Sequence, residues 1–318
     1  MDKPLVISSS PHLHCGQNTR GIMLDVIIAL VPALVASVWL FGFRALAVEM
    51  VCVGACLASE ILSRAVMKRP QTVGDLSAVV TGLLLAFNLP ATIPLWQAAL
   101  GGVVAIVVAK QMFGGIGQNF VNPALAGRIV LMGSFPTEMN NWVEPLQWRG
   151  ADAVSSATPL ALLANGGDIS AYTKTELLFG MRPGCLGETC ALALLLGFVY
   201  LVIRRVISPI VPVTFVGTVF VVTWLCGQNP VYHILSGGLL LGAIFMATDY
   251  TTSPVNKAGK VVFAVGCGLL TVLIRLCGSL PEGVSFAIVI MNILVPLIER
   301  FTRPLPFGEK RRWLHRAK

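Results

Sequence analysis

Long apolar runs, broken at intervals by short polar segments, limit what this chain can become more than any other feature. A helix needs roughly 20 apolar residues to cross the hydrocarbon core of a bilayer, about 30 Å thick. Ten such stretches can be read, at about residues 22–41, 45–63, 73–89, 95–112, 123–135, 185–203, 209–226, 231–248, 261–277 and 284–298. The fifth is too short to cross upright and follows the Gly-rich segment 113–122, so it is expected to be broken or re-entrant. Irregular backbone at that depth survives only where protein or a wet cavity satisfies its polar groups. The expected fold is therefore an all-α polytopic membrane protein of about ten transmembrane helices. Five spans lie on either side of a long polar loop, which permits a 5+5 inverted repeat with its site where broken helices meet. The divisions are a polar N-terminus (1–21), a first membrane half (22–135), the loop (136–183), a second membrane half (184–298) and a basic tail (299–318).

Charge agrees with this reading and orients it. Only 12% of residues are charged, against about 25% in ordinary soluble domains. That is too little polar surface to coat a soluble globule, and it excludes a disordered chain or a module built to bind nucleic acid. The net charge of +8 reports loop orientation, because basic residues gather on the cytoplasmic side. With the N-terminus inside, the inner segments hold Lys3, Arg20, Arg64, Lys68, Arg69, Lys110, Arg204, Arg205, Lys257, Lys260 and the basic tail. The outer segments hold only Arg44, Arg149, Lys174, Arg182 and Arg275, while Arg128 lies in the fifth element and counts for neither side. Trp39, Trp96 and Trp224 then fall at outer interfaces, as an aromatic belt requires. The tail, EKRRWLHRAK, reads as an anchor to anionic lipid.

The eight cysteines form no CxxC, and most lie in or beside apolar runs. Cys52 and Cys56 share a helical face and read as small packing residues, so no metal site is expected. Ionisable residues in or beside spans are functional candidates, but Asp25, Glu49, Glu60, Asp75 and Glu188 lie near span ends, where caps, headgroups and arginines can take them. Asp249 and Asp75 stand out because they adjoin polar segments. Two stretches bearing Gly and Pro interrupt the apolar pattern, FGGIGQNFVNPALAGR (113–128) and ATDYTTSPVNKAGK (247–260). They bring forward Asn119, Asn122 and Asp249 as oxygen-bearing side chains at helix breaks. In the loop, Ser155–Thr158 reads by composition as a polar turn, with Thr158 an N-cap ahead of Pro159 at the first helical position.

With these motifs in hand, the chain resembles the RnfD subunits of Rnf ion-translocating ferredoxin:NAD oxidoreductase complexes, a family shared with the NqrB subunits of the sodium-pumping NADH:quinone oxidoreductases. The likeness runs nearly end to end, through SPHLHCGQNTRGIM, LPATIPLWQ, FGGIGQNFVNPALAGR, SATPLA, GGLLLGAIFMATDYTTSP and MNILVPLIER. The resemblance implies FMN held covalently through a phosphoester on Thr158. The attachment motif falls on Ser155, Ser156, Ala157 and Thr158, with Ser156 where the family usually has Gly. It also implies a bacterial inner-membrane subunit, not catalytic alone, that relays electrons between ferredoxin and NAD sides while Na+ or H+ crosses. Its implied partners are the other subunits, including a second flavin-bearing one, and the flavin transferase that matures it. Non-covalent riboflavin belongs to the related quinone reductase subunit, and Asn119, Asn122 and Asp249 mark the place for such a second flavin or an ion path. Periodicity and topology alone leave two other readings open, a ten-helix solute channel or transporter and a flavin-less structural subunit. The SATP segment (156–159) separates the redox subunit from the channel, which has no use for it, while Ser156 in place of Gly keeps the flavin-less reading open.

Overall fold

A computed structural model describes residues 18–149, 157–164, 172–278 and 282–304. Among these the regular structure is helical, with no β-strand. Helices α1 (Thr19–Phe41) and α2 (Phe43–Val66) form a hairpin around Gly42. They are followed by α3 (Ser77–Phe87), α4 (Leu95–Val103) running into a π-helical stretch (Val104–Gln111), and α5 (Pro123–Ser134). The loop carries three short helices, α6 (Pro136–Met139), α7 (Pro159–Ala164) and α8 (Lys174–Phe179). The second half holds α9 (Ala191–Ile203), α10 (Ile210–Leu225), α11 (Pro230–Leu235), α12 (Leu239–Leu241) leading into a second π stretch (Gly242–Met246), α13 (Lys257–Cys277) and α14 (Val284–Thr302). Four of these, α1, α2, α13 and α14, are long and apolar enough to cross a membrane on their own.

Several expected spans are therefore not single helices. The third begins with a 3₁₀ turn (Val73–Asp75) and a left-handed Leu76, so only eleven residues form α3. The eighth splits at Ser236–Gly238, and the sixth becomes helical only at Ala191. Apolar composition hides both breaks, because the interrupted segments are themselves buried. The non-helical segment before α9 enters the bundle and pairs with the end of α3: Leu186 N–H donates to the Leu89 carbonyl at 3.0 Å and Gly187 N–H to the Phe87 carbonyl at 3.0 Å. Two irregular segments thus satisfy each other's backbone, which is what makes them tolerable at depth. The fifth stretch is a twelve-residue helix opened by Asn122, whose side chain accepts from Ala124 N–H at 3.0 Å and Leu125 N–H at 3.4 Å.

Packing repeats itself between the halves. α2 holds α3 and α4, and α4 with its π stretch holds α5; α10 holds α11 and α13, and α13 holds α14. Across the halves α1 packs on α9 and α5 on α14. The α1–α9 contact is close enough to need glycine: a Cβ on Gly197 would stand 2.4 Å from the Ala29 carbonyl oxygen. Gly197→Ala must push the two helices apart, and overpacking of this kind costs about 1–3 kcal/mol. The expected result is a lower melting temperature of the detergent-solubilised protein with its helical content retained.

The surface matches an apolar surrounding. Leu24, Val31, Val35, Met50, Leu62 and Val213 are exposed along the helices. Trp39, Trp96 and Trp224 are exposed at helix ends. Inside, Cys52 and Cys56 are buried with their thiols facing the carbonyls of Ala98 and Gly102, both at 3.8 Å, which is a packing role. In the loop, α8 opens with a capping box in which Thr173 and Glu176 exchange hydrogen bonds. Those bonds hold the exposed Glu176 carboxyl below its ordinary range. Its contribution to α8 is present above the unfolded carboxylate pKa and fades as pH falls through the lower folded value.

Candidate functional site

Two sites lie at opposite ends of α5. At its N-terminal end is a cavity of about 360 Å³, within the 300–1,000 Å³ range typical of small-molecule sites. Asn119, Asn122 and Asp249, the three helix-break residues of the sequence, all line it. Asn122 joins the two broken elements: it caps α5, and its amide donates to the Met246 carbonyl at 3.3 Å, the end of the second π stretch. The carboxylate of Asp249 accepts from the hydroxyls of Thr251 at 3.1 Å and Thr252 at 3.2 Å. Val80, Leu84, Ile244 and Phe245 supply an apolar wall. The walls of this cavity include residues from both π stretches, a backbone irregularity that recurs at functional sites.

Lys110 also reaches this cavity, although in the sequence it counts only as an inner-side charge near the end of the fourth apolar stretch. It is 3% exposed, and its ammonium lies 3.0 Å from Glu60 and 2.6 Å from the Ser77 hydroxyl. Glu60 further accepts from Thr72 at 2.9 Å and Gln111 at 3.1 Å. Of the other acids near span ends, Asp25 meets an arginine as expected, whereas Glu49 is buried on a serine hydroxyl with one oxygen unpartnered among the described residues. Asp25 pairs with Arg204 at 3.2 Å, and Asp75 accepts from Ser77 N–H at 2.9 Å. Glu49 is buried and accepts from the Ser37 hydroxyl at 2.5 Å.

The second site surrounds Thr158. The loop position predicts an exposed hydroxyl, and the structure corrects this: Thr158 is 4% exposed. Its carbonyl accepts from Leu162 N–H at 3.0 Å and its Oγ1 from Ala161 N–H at 3.2 Å, the N-cap geometry expected from composition. Thr158 borders a cavity of about 20 Å³ together with Arg128, Trp142, Glu282 and Ser285, space for about one water. Ala157 is exposed beside it, while Ser155 and Ser156 lie outside the described residues.

Behind that small cavity is a buried polar cluster of which the quoted motifs include only Arg128. Arg128 donates to Asn88 at 2.6 Å and Ser285 at 3.0 Å and pairs with Glu282. Arg182 donates to the Glu188 carbonyl at 2.7 Å, and Arg275 to the His233 carbonyl at 2.6 Å. Glu188 accepts from Cys185 N–H at 3.2 Å. All three arginines and Glu188 are buried. One oxygen each of Glu188 and Glu282 has no hydrogen-bond partner among the described residues. Ligating atoms of Cys185, Glu188 and Glu282 lie within 4.8 Å of one another, but Arg128 already occupies the space a cation would take, between the Cys185 sulfur (3.6 Å) and Glu282. By position in the sequence Arg182 and Arg275 are outer flanking charges. Each is close to the end of an apolar run, where a headgroup could equally take it, so no local signal distinguishes them.

Comparison with known proteins agrees with the resemblance drawn from the motifs. The NQR2, RnfD, RnfE family matches residues 6–308. The RnfD subunit of the Na+-translocating ferredoxin:NAD+ oxidoreductase complex of Acetobacterium woodii is 48% identical over 307 residues, covering 96% of this chain and 95% of that protein. The counterpart in the proton-translocating complex of Clostridium ljungdahlii is 42% identical over 322 residues, with 96% of each chain covered. The counterpart in the ion-translocating oxidoreductase complex of Escherichia coli is 34% identical over 347 residues, covering 96% of this chain and 99% of that one. An all-helical bundle with membrane-length apolar helices, two polar sites at helix breaks and similarity over nearly its whole length together place the chain in the NQR2, RnfD, RnfE family.

Proposed function

We propose that this chain is the RnfD membrane subunit of a redox-driven ion-translocating ferredoxin:NAD+ oxidoreductase, carrying FMN as a phosphoester on Thr158. In this reading it spans a bacterial inner membrane about ten times as a 5+5 inverted repeat, with both termini cytoplasmic. The repeated packing of α2–α5 and α10–α14 supports the repeat. So does the recurrence of Gly82-Leu83-Leu84-Leu85 as Gly238-Leu239-Leu240-Leu241 at the corresponding short helices. The partners are the other subunits, one of them also flavin-bearing, and the flavin transferase.

The observation that carries the reading is Thr158 itself. It is a hydroxyl bordering the same small cavity as the buried Arg128, in a segment matching the attachment motif. The residues fit the linkage: a phosphoester oxygen can still accept the Ala161 N–H bond, and Arg128 brings positive charge to the same cavity. The space at the hydroxyl is water-sized, so it suits the linking atoms and not the ring. FMN, when attached, supplies the redox chemistry, and the protein supplies position and electrostatics. Here Thr158 anchors, Arg128 and Glu282 fix the polar floor, and Trp142 closes one side of the cavity. The test is mass spectrometry of the peptide bearing Thr158, from protein made with its native flavin transferase. The expected peptide is heavier by FMN less water; a bare peptide overturns the assignment.

The cavity at the other end of α5 is large and apolar enough for a non-covalent flavin such as riboflavin, with Asn119, Asn122 and Asp249 at its polar rim. Val80→Trp, which fills it, is expected to abolish acid-released flavin while leaving covalent flavin in place. Asp249 sits among threonine hydroxyls, which favours an ion path as the second reading. An Asp249→Asn protein that keeps both flavins but stops ion transport in vesicles decides for the path.

A further inference from the structure

Between the start of α1 and the end of α9 is a recess of about 570 Å³ that neither proposed flavin site uses. Arg20 enters it from α1, and Arg204 and Arg205 from the segment that closes α9. The two helices pack on each other, so these three charges are gathered at one place. Arg204 is fixed across the contact. Its Nε and Nη2 donate to the two oxygens of Asp25, both at 3.2 Å, and the Tyr200 hydroxyl donates to the same carboxylate at 2.9 Å. Arg20 and Arg205 are exposed, and neither side chain has a hydrogen bond or ion pair among the described residues. Three guanidiniums against the carboxylate of Asp25 leave the lining of the recess positive.

The helix faces that lead away from the recess are apolar. Leu24 lines it and starts an exposed stripe on α1 made of Leu24, Ile28, Val31 and Val35, the i, i+4, i+7, i+11 spacing of one helix face. On α9, Leu192, Leu196, Val199 and Ile203 are exposed at the same spacing, and the stripe ends beside Arg204. The stretch from Leu24 to Val35 rises about 17 Å, close to one leaflet of a hydrocarbon core about 30 Å thick. The charge selects an anionic group, and the stripes select an amphiphile whose chains reach one leaflet deep. Basic pockets between transmembrane helices take anionic lipid headgroups in this way.

We propose that this recess binds the phosphate of an anionic phospholipid, with Arg20 and Arg205 as its partners and Arg204, held by Asp25, as a fixed wall. Ile22, Val206 and Tyr250 line both the recess and the cavity at the N-terminal end of α5. The Tyr250 hydroxyl donates to the Val206 carbonyl in that shared wall. A bound headgroup therefore braces the wall of the neighbouring cavity together with the α1–α9 contact, and the charge of the surrounding lipid becomes a determinant of stability at this end of the bundle.

The test uses the full-length chain, purified in a neutral detergent and stripped of lipid, with phosphatidylglycerol, phosphatidylcholine or inorganic phosphate added back. Melting temperature and the lipid retained in native mass spectrometry are read for wild type and two double variants. One is Arg20→Gln with Arg205→Gln; the other, Arg20→Lys with Arg205→Lys, keeps the charge. Wild type is expected to retain phosphatidylglycerol and melt higher with it, and to respond to neither of the other two additions. Both arginines are exposed and without side-chain partners among the described residues, so the glutamine variant is expected to keep the lipid-free melting temperature. Its affinity for phosphatidylglycerol is expected to fall about thirtyfold, the contribution of two arginines beside an anionic headgroup, while the lysine variant stays close to wild type. An unchanged affinity in the glutamine variant overturns the inference. So does an equal response to phosphatidylcholine, which means chain packing alone, or to inorganic phosphate, which means a free-anion site. A glutamine variant that keeps its lipid but no longer co-purifies with partner subunits assigns the recess to a protein interface and overturns it too.

Discussion

Thr158→Val is expected to abolish covalent flavin on the denatured polypeptide completely, while Thr158→Ser retains it. Valine matches threonine in shape and removes only the oxygen, so the substitution separates the chemistry of the hydroxyl from its volume. The oxygen also caps α7, and losing an N-cap costs about 0.5–2 kcal/mol. That is too little to unfold a bundle whose core runs through both halves. Thr158→Val should therefore assemble with its partner subunits and run as a full-length band without fluorescence. Serine keeps the oxygen and the cap but lacks the methyl group that helps fix the side chain, so a reduced yield is expected with the ester still formed. Fluorescence in Thr158→Val would place the flavin on another residue.

Lys110→Met is expected to destabilise the protein by about 3–5 kcal/mol, because it leaves a buried carboxylate without its charge partner. Glu60 is fully buried and lies 3.0 Å from the ammonium. The hydrogen bonds it keeps, from Thr72 and Gln111, are dipolar and cannot replace the lost charge. The double substitution Glu60→Gln with Lys110→Met is expected to recover most of the loss, since a buried pair replaced by neutral groups is often near neutral in stability. Chemical denaturation or thermal melting of the purified protein checks both. Lys110 also borders the larger cavity, so the double variant, once folded, shows whether that cavity needs the charge. Retained non-covalent flavin would mean the pair serves the fold alone.

How much of this is legible in the sequence depends on whether the signal is local. The apolar runs specify the helical membrane class, and the polar stretches 113–128 and 247–260 point to the residues of the larger cavity. Those residues can be found because a polar side chain at a helix break has few places to go except a cavity. Asn119, Asn122 and Asp249 come together for that reason. The breaks in the sixth and eighth spans stay hidden, since segment 185–190 takes its backbone hydrogen bonds from the distant end of α3 and Ser236–Gly238 is followed at once by another apolar run. Thr158 illustrates the same limit. Its turn composition reads as exposed, but the tertiary structure buries it beside a small cavity that Trp142 and Glu282 also line. Arg128, Arg182, Glu188, Arg275 and Glu282 are scattered along the chain, each charge plausible at a headgroup when read alone. Their mutual burial belongs to the tertiary structure.

The twelve residues of α5 rise about 18 Å, more than half of a hydrocarbon core about 30 Å thick, and the two sites sit at its opposite ends. If α5 runs across the bilayer and both sites hold flavin as proposed, an electron handed from one to the other travels through much of the electric field that a living cell maintains across its membrane. A full crossing at 100 mV is worth about 2.3 kcal/mol per elementary charge. In that reading the helix sets a lever arm: voltage becomes a reactant in the transfer, and depolarising the vesicle is expected to change its rate even where substrate concentrations are held fixed.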